Sequence, residues 1–112
     1  MQIITENSEK YPELLTKISN NPKELYVEGD YSILNMPSIT VVGSRNMTQY
    51  GKNVTKEIVK QLTINGICIV SGMAVGIDTI AHKTCIENHG KTIAVLGSGL
   101  NKIFPSENIR VI

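Results

Sequence analysis

Three short apolar runs, each ending at a glycine-containing loop, constrain the fold of this chain more than any other feature. The runs cover residues 39–42, 67–70 and 92–96 and are rich in β-branched side chains, a composition that favours buried strands. They are followed, in chain order, by Gly43-Ser44-Arg45, Ser71-Gly72 and Gly97-Ser98-Gly99. Abrupt stops of this kind are typical of strands in a parallel sheet.

Two amphipathic segments separate these runs. In the first, Val54, Ile58 and Leu62 recur every four residues, which predicts a helix with these side chains facing inward. Its lysines have the same spacing two residues out of phase, which places them on the opposite, solvated face: Lys52, Lys56 and Lys60. We expect the helix to end at Asn65-Gly66.

The second segment has one apolar face, formed by Ile77, Ile80, Ala81, Thr84 and Cys85. We expect this helix to end at residues 88–90. Strand, helix, strand, helix and strand make a β-α-β-α-β unit, whose connections favour a parallel sheet with right-handed crossovers. The predicted fold class is therefore α/β, a Rossmann-like three-layer parallel sheet, and we expect the domain to be incomplete.

The N-terminal part carries weaker signals. Residues 1–10 are polar and aperiodic, so we expect a disordered or frayed end. A short helix is predicted from Tyr11 to Ile18, before the turn formers at residues 20–22. Residues 25–27 are predicted to be extended.

Composition limits what the chain can do. Its 112 residues suit one small domain, and its net charge is +1. Residues 1–30 carry three lysines against six acids, a balance of −3, whereas residues 31–112 carry eight basic residues against four acids, a balance of +4. The larger part thus has a modest field that favours anions. No apolar run is long enough to span a membrane, and no signal peptide is evident.

The two cysteines, Cys68 and Cys85, lie inside apolar patterns without metal-ligand spacing. We interpret them as buried free thiols in a reducing cytoplasm. The sequence therefore predicts a cytoplasmic protein without a metal site, and we expect no cofactor.

The glycine-containing loops are the candidate binding site. Ligands of open parallel sheets bind beyond the carboxyl ends of the strands, where glycines allow a close approach to the backbone. Arg45 adds a planar, permanently charged donor suited to phosphate. The predicted phosphate or DNA site comprises Gly43, Ser44, Arg45, Ser71, Gly72, Gly97, Ser98 and Gly99. Neither the P-loop motif nor the dinucleotide fingerprint is present.

Asp78 and His82 lie four residues apart on one helical face, a spacing that invites an acid–base interpretation. An aspartate in a first turn, however, is favoured simply by the helix dipole, and the histidine can bond to it or to a neighbouring loop. We predict structural roles for both residues and identify no catalytic residue.

Three ordered blocks resemble one known family. They are Val42-Gly43-Ser44-Arg45 with Thr48-x-Tyr50-Gly51, then residues 71–78 with Ala81-His82, and then residues 90–100 running on to Pro105 and Asn108. These blocks are similar to the DNA-processing (DprA/Smf) family, and the likeness covers residues 11–112 as the N-terminal part of its Rossmann-like domain. Asn101 and Phe104 depart from that family's usual Asp and Tyr.

The resemblance implies a binding function rather than an enzymatic one. It implies a protein that binds single-stranded DNA during natural transformation, loads the RecA recombinase and forms a homodimer. It also implies that Arg45 contacts phosphate, and that Gly43, Ser44, Ser71 and Gly72 shape the same pocket. The family domain continues for about as many residues again, including a basic segment with further DNA contacts.

Two alternatives remain open from the sequence. Rossmann-like phosphoribohydrolases, which cleave nucleotide monophosphates, carry a Pro-Gly-Gly-x-Gly-Thr-x-x-Glu block that is absent from this chain. The other alternative is a truncated fragment without a ligand, kept folded by pairing its open edge.

Overall fold

The computed structural model describes residues 2–96 and divides the chain into two compact units, Met1–Met36 and Pro37–Ile112. The boundary between the units lies just before the first strand of the predicted β-α-β-α-β unit. Each unit contains its own sheet.

The first unit begins with a paired strand, so the expectation of a frayed end at residues 1–10 is wrong for this segment. Strand β1 (Gln2–Thr5) pairs antiparallel with β2 (Glu24–Val27). Ile4 is buried, and the backbone N–H of Glu6 extends the pairing to Lys23 O at 3.0 Å. The segment is too short to show a strand period, and its partner lies some twenty residues away, so the pairing leaves no local signal.

The helix predicted from Tyr11 to Ile18 forms only a 3₁₀ turn, Glu13–Lys17. None of its residues is buried, and Leu14 and Ile18 are exposed, so no apolar face stabilises a longer helix. The Tyr11 hydroxyl donates to the Pro22 carbonyl at 2.7 Å and thereby ties the ends of this loop together. A second 3₁₀ helix, Tyr31–Asn35, completes the unit.

The second unit confirms the predicted β-α-β-α-β order. It comprises β3 (Ser38–Thr40), α1 (Gln49–Ile64), β4 (Cys68–Ser71), α2 (Ile77–Glu87) and β5 (Thr92–Ala94). The three strands are parallel in the order β3-β4-β5, with Ile39 opposite Ile69 and Val70 opposite Ile93. Strand β3 is one residue shorter and β5 two residues shorter than the apolar run that predicts it, whereas β4 has the predicted length and begins one residue later.

Both helices contribute to one core cluster, formed by Val59, Ile69, Ala81 and Cys85, with Val41 and Leu62 packed at its edge. The predicted inner face of α2 is confirmed, because Ile77, Ile80, Ala81, Thr84 and Cys85 are all buried.

The predicted inner face of α1 is only partly right: Leu62 packs at the edge of the core, but the face is shifted at Ile58. The buried residues are Val59 and Thr63, whereas Ile58 is 52% exposed. A repeat of four residues advances by about 40° per step around a helix of 3.6 residues per turn, so Val54, Ile58 and Leu62 drift across the surface. Packing against α2 selects the neighbouring face, which a periodicity argument cannot identify.

Adjacent substitutions on α1 test this assignment. Val59→Ala removes two methyl groups from a fully buried position, so we expect it to lower the free energy of unfolding by roughly 2 kcal/mol. Ile58→Ala, at an exposed position, should change it by less than about 0.5 kcal/mol. Urea unfolding followed by circular dichroism gives both values, and a larger loss for Ile58→Ala would contradict the assignment.

Candidate phosphate site at the sheet edge

The carboxyl ends of the three strands are joined through Ser71. Its hydroxyl donates to the Val41 carbonyl of the neighbouring chain segment at 2.6 Å, and its own carbonyl accepts from Val95 N at 2.9 Å. Ser71 is buried, and its side chain binds protein rather than facing solvent. Its place in the predicted site is therefore that of a residue that aligns the strand ends.

Two glycines bring the loop after β3 onto the start of α2. A Cβ on Gly43 would stand 2.7 Å from the Ile77 side chain, and a Cβ on Gly76 would stand 2.7 Å from the carbonyl oxygen of Arg45. Ile77 N also donates to the Ser44 carbonyl at 3.2 Å. The loop that follows β3 thus packs closely against the end of the loop that follows β4 and against the start of α2.

Gly76 also belongs to this site, although the sequence alone does not single it out. Its φ of +86° lies in the left-handed region, which glycine adopts without a steric penalty. The available signal was its position, a glycine immediately before the predicted start of α2.

The loop Gly43–Arg45 presents polar groups to solvent. Ser44 Oγ accepts from Asn46 N at 3.0 Å, an arrangement that shapes the turn. Arg45 is exposed, and within residues 2–96 no carboxylate lies within ion-pair distance of its guanidinium. Its five N–H donors are therefore open to an anion.

The start of α2 is less suited to an anion. Its first amide, Ile77 N, already donates to Ser44 O. Asp78 occupies the first turn, and its Oδ2 accepts from Ala74 N at 3.4 Å and lies 2.8 Å from the position that a Cβ of Gly72 would take. A carboxyl group beside Gly72 opposes a phosphate at that point, so the Arg45 loop is the favourable side of the edge.

His82 is buried, with both ring nitrogens bonded. Nε2 donates to the Gly72 carbonyl at 2.7 Å, because a carbonyl oxygen only accepts, and Nδ1 lies 2.6 Å from Thr92 Oγ1. Thr92 Oγ1 also lies 2.8 Å from the Ile69 carbonyl. His82 thereby connects α2 to the loop after β4 and to β5. Thr92, which the sequence analysis treated only as a strand residue, is its partner.

Burial lowers the pKa of His82, while the Gly72 carbonyl and the Asp78 carboxyl oppose that shift. Asp78 acts on His82 through its charge, since the ring nitrogens bond to Gly72 and Thr92. This arrangement agrees with the prediction that the histidine bonds to a neighbouring loop.

The third predicted loop, Gly97-Ser98-Gly99, lies outside the described residues, so its place in the site stays a prediction. Among residues 2–96, no group of three or more His, Cys, Asp or Glu side chains is arranged to hold a metal ion. In that same part of the chain, neither α-helix is long and apolar enough to cross a lipid bilayer.

A separate groove of about 420 Å³ lies between α1 and α2. It carries two lysines and two glutamates, so its charge is balanced and does not select anions. Its lining residues are Asn53, Lys56, Glu57, Lys60, Thr84, Glu87 and Asn88.

A parallel β-α-β-α-β unit with exposed polar loops at its carboxyl edge defines a Rossmann-like protein with a candidate anion site. The family model for DNA recombination-mediator protein A matches residues 2–112, and the chain belongs to that family. Among relatives, it is 41% identical over 111 residues to Protein Smf of Synechocystis sp.. It is also 41% identical over 101 residues to DNA processing protein DprA of Streptococcus pneumoniae.

Solved structures agree with this assignment. The X-ray structure of DprA from Streptococcus pneumoniae matches with a TM-score of 0.92 at 37% identity, over 98% of this chain and 38% of that one. A Helicobacter pylori structure described for the single-stranded DNA binding mode of DNA processing protein A matches with a TM-score of 0.84 at 33% identity, over 99% of this chain and 50% of that one.

The chain spans about a third of the length of the curated relatives it matches. Its alignments cover 96% of this chain but 28% of the Synechocystis protein, and 90% of this chain but 36% of the Streptococcus protein.

Gly76 provides a direct test of the contact between the two loops. We expect Gly76→Ala to lower the melting temperature and displace Ser44 and Arg45, because the added Cβ meets their backbone. Gly66→Ala is the matched control, since Gly66 also has a positive φ (+78°) but has nothing within 4 Å of the added Cβ. Amide chemical shifts of residues 43–46 should move in Gly76→Ala alone; equal shifts in both variants would argue against the contact.

His82 should make stability pH-dependent. The unfolded histidine titrates near its ordinary value of 6.5, while the folded one has a lower pKa, so the unfolded state binds the proton more readily. Stability from this group is therefore complete above pH 6.5 and declines as the pH falls below it.

Melting temperatures between pH 8 and pH 5.5 measure this effect, and His82→Gln should flatten the decline. His89→Asn is the control, because Asn accepts the left-handed φ of +61° found at that position. If the decline in stability persists in His82→Gln and disappears in His89→Asn, it arises from His89 and the prediction is wrong.

Proposed function

We propose that this chain is a single-stranded DNA-binding module of a DNA-processing protein. The observation that carries the proposal is the exposed Arg45 guanidinium, which no carboxylate neutralises among residues 2–96, on a loop packed against the start of α2. Phosphate contacts supply most of the affinity of such modules and need no base-specific chemistry.

The relatives support the same interpretation. Proteins from Streptococcus pneumoniae and Bacillus subtilis that match most of this chain carry the name DNA processing protein DprA. The Helicobacter pylori structure concerns binding of single-stranded DNA. By family resemblance we extend the proposal to natural transformation, to loading of the RecA recombinase and to action in the cytoplasm.

Binding, rather than catalysis, fits the groups at the sheet edge. His82 is buried and its two nitrogens are engaged by Gly72 and Thr92, so it has no free position for a substrate proton. Asp78 lies at the start of α2, next to Gly72 and Ala74. The alternative of a nucleotide-cleaving enzyme would need a general acid or base from elsewhere.

Arg45 is the residue on which the proposal is tested. We expect Arg45→Ala to weaken binding of labelled poly-dT and to reduce the slope of log K against log salt by about one unit, because one phosphate contact is lost. Fluorescence anisotropy at several salt concentrations gives both quantities. Affinity of the chain itself should fall near the non-specific range, about 10⁻⁴ to 10⁻⁶ M.

Lys60→Ala is the matched control. Lys60 is an exposed cation on α1, about 16 Å along the helix from its first turn. It should leave the slope almost unchanged. Equal effects of the two substitutions would indicate attraction by overall charge, and no effect of Arg45→Ala would remove Arg45 from the site.

We further propose that the chain forms a homodimer by pairing the free edge of β3. Within the described part of the chain, β3 pairs with β4 alone. Pro37 O and Val41 N bond to β4, so the backbone groups of the alternate residues Ser38 and Thr40 point away from β4, toward the free edge.

Thr40→Pro tests this edge. Proline removes the outward N–H at residue 40 and leaves the bonds to β4 in place. We expect light scattering after size exclusion to show a dimer for the unchanged chain and a monomer for Thr40→Pro. A dimer that survives the substitution would place the interface elsewhere.

A further inference from the structure

Tyr50 is the most exposed large apolar side chain among residues 2–96, with 78% of its surface accessible. It is the second residue of α1, and within those residues its hydroxyl has no hydrogen-bond partner. A ring as exposed as this buries little apolar surface in the folded chain, so core packing does not explain its place in the structure.

The first turn of α1, which carries Tyr50, lies close to the candidate phosphate site. Gly51, the next residue, lies against Ile77, whose Cδ1 is 3.9 Å from the position of a Gly51 Cβ. Gly43 packs on the same Ile77, and Ile77 N bonds to Ser44 O. The first turn of α1 and the loop that carries Arg45 therefore flank one side chain.

The backbone that carries Tyr50 is held on both sides. Thr48 caps α1, with Oγ1 accepting from Gly51 N at 3.0 Å and its carbonyl accepting from Lys52 N at 3.0 Å. The preceding residue, Gln49, donates from its side chain to Asn53 Oδ1 at 2.9 Å. Only the two side-chain torsions of Tyr50 are free, so a flat ligand orders little on binding.

We propose that Tyr50 is a nucleobase-stacking subsite that adjoins the phosphate contact of Arg45. A base stacks on the exposed ring while a neighbouring phosphate binds the guanidinium. Stacking tolerates every base, because each has a π-face, and it is independent of salt, whereas the Arg45 contact depends on salt. The inference rests on the proposed function, since it needs a ligand that carries both a base and a phosphate.

The test compares Tyr50→Ala, Tyr50→Phe and the unchanged chain on three probes: oligo-dT, an abasic strand of equal length, and thymidine monophosphate. We expect Tyr50→Ala to weaken oligo-dT binding on the order of 10-fold with an unchanged salt slope. Tyr50→Phe should retain binding, because the ring remains. On the abasic strand, Tyr50→Ala and the unchanged chain should bind equally.

Tyr26→Ala is the matched control, because Tyr26 is also exposed (59%) but lies in β2. It should bind oligo-dT as the unchanged chain does. Equal melting temperatures of Tyr50→Ala and the unchanged chain are expected, since the ring buries no core, and they make a loss of affinity attributable to the site.

The outcomes separate this inference from the proposed function. If Arg45→Ala weakens oligo-dT binding and Tyr50→Ala does not, the stacking subsite is overturned and the DNA-binding function stands. An equal loss for Tyr50→Ala on the abasic strand would also overturn it. If thymidine monophosphate binds as tightly as oligo-dT and this binding depends on Tyr50, the ligand of the subsite is a mononucleotide, and the proposal of a DNA strand is overturned. Failure of the unchanged chain to bind any probe would overturn both.

Discussion

The candidate site depends on the close backbone packing of the loop after β3 against the start of α2. Gly43 and Gly76 leave no room for a side chain at this contact, and the bond from Ile77 N to Ser44 O joins the two segments. The Ser71 hydroxyl connects the end of β4 to Val41, the residue next to the end of β3, and His82 of α2 bonds to the Gly72 carbonyl. This packing fixes the backbone at Arg45. The side chain needs no contacts of its own to hold its position, and it is exposed.

Much of the second unit could be predicted from the sequence, because its signals are local. β-Branched runs ending at glycine indicate strands, and the Ile77–Cys85 pattern identifies the buried face of α2. The errors arise where the partner is distant. Gln2–Thr5 is a strand only because Glu24–Val27 pairs with it, and the buried face of α1 is chosen by α2, which moves it from Ile58 to Val59. Periodicity reports amphipathicity and not the identity of the neighbour.

The same distinction applies to the site. The position of Gly43 and Arg45 at the sheet edge could be predicted, because both follow a β-branched run, while the phosphate contact of Arg45 stays a prediction. For His82 the sequence predicts a bond to Asp78 or to a neighbouring loop, but it does not identify the partners, Gly72 and Thr92, because each lies ten residues away. The sequence also places Ser71 at the edge of the sheet. Only the structure shows that its hydroxyl donates a hydrogen bond to the Val41 carbonyl, thirty residues earlier.

Charge makes the two sides of the sheet edge unequal. Asp78 stands against Gly72 and repels an anion there, whereas the exposed guanidinium of Arg45 attracts one at the end of β3. We therefore expect the proposed phosphate to lie nearer the loop that leads into α1 than the loop that leads into α2. Tyr50, whose ring is exposed, lies in the first turn of α1, the helix into which the Arg45 loop leads. The proposed ligand, which has a negative backbone and flat bases, therefore fits the Arg45 side of the edge better than the side at Gly72, where Asp78 lies.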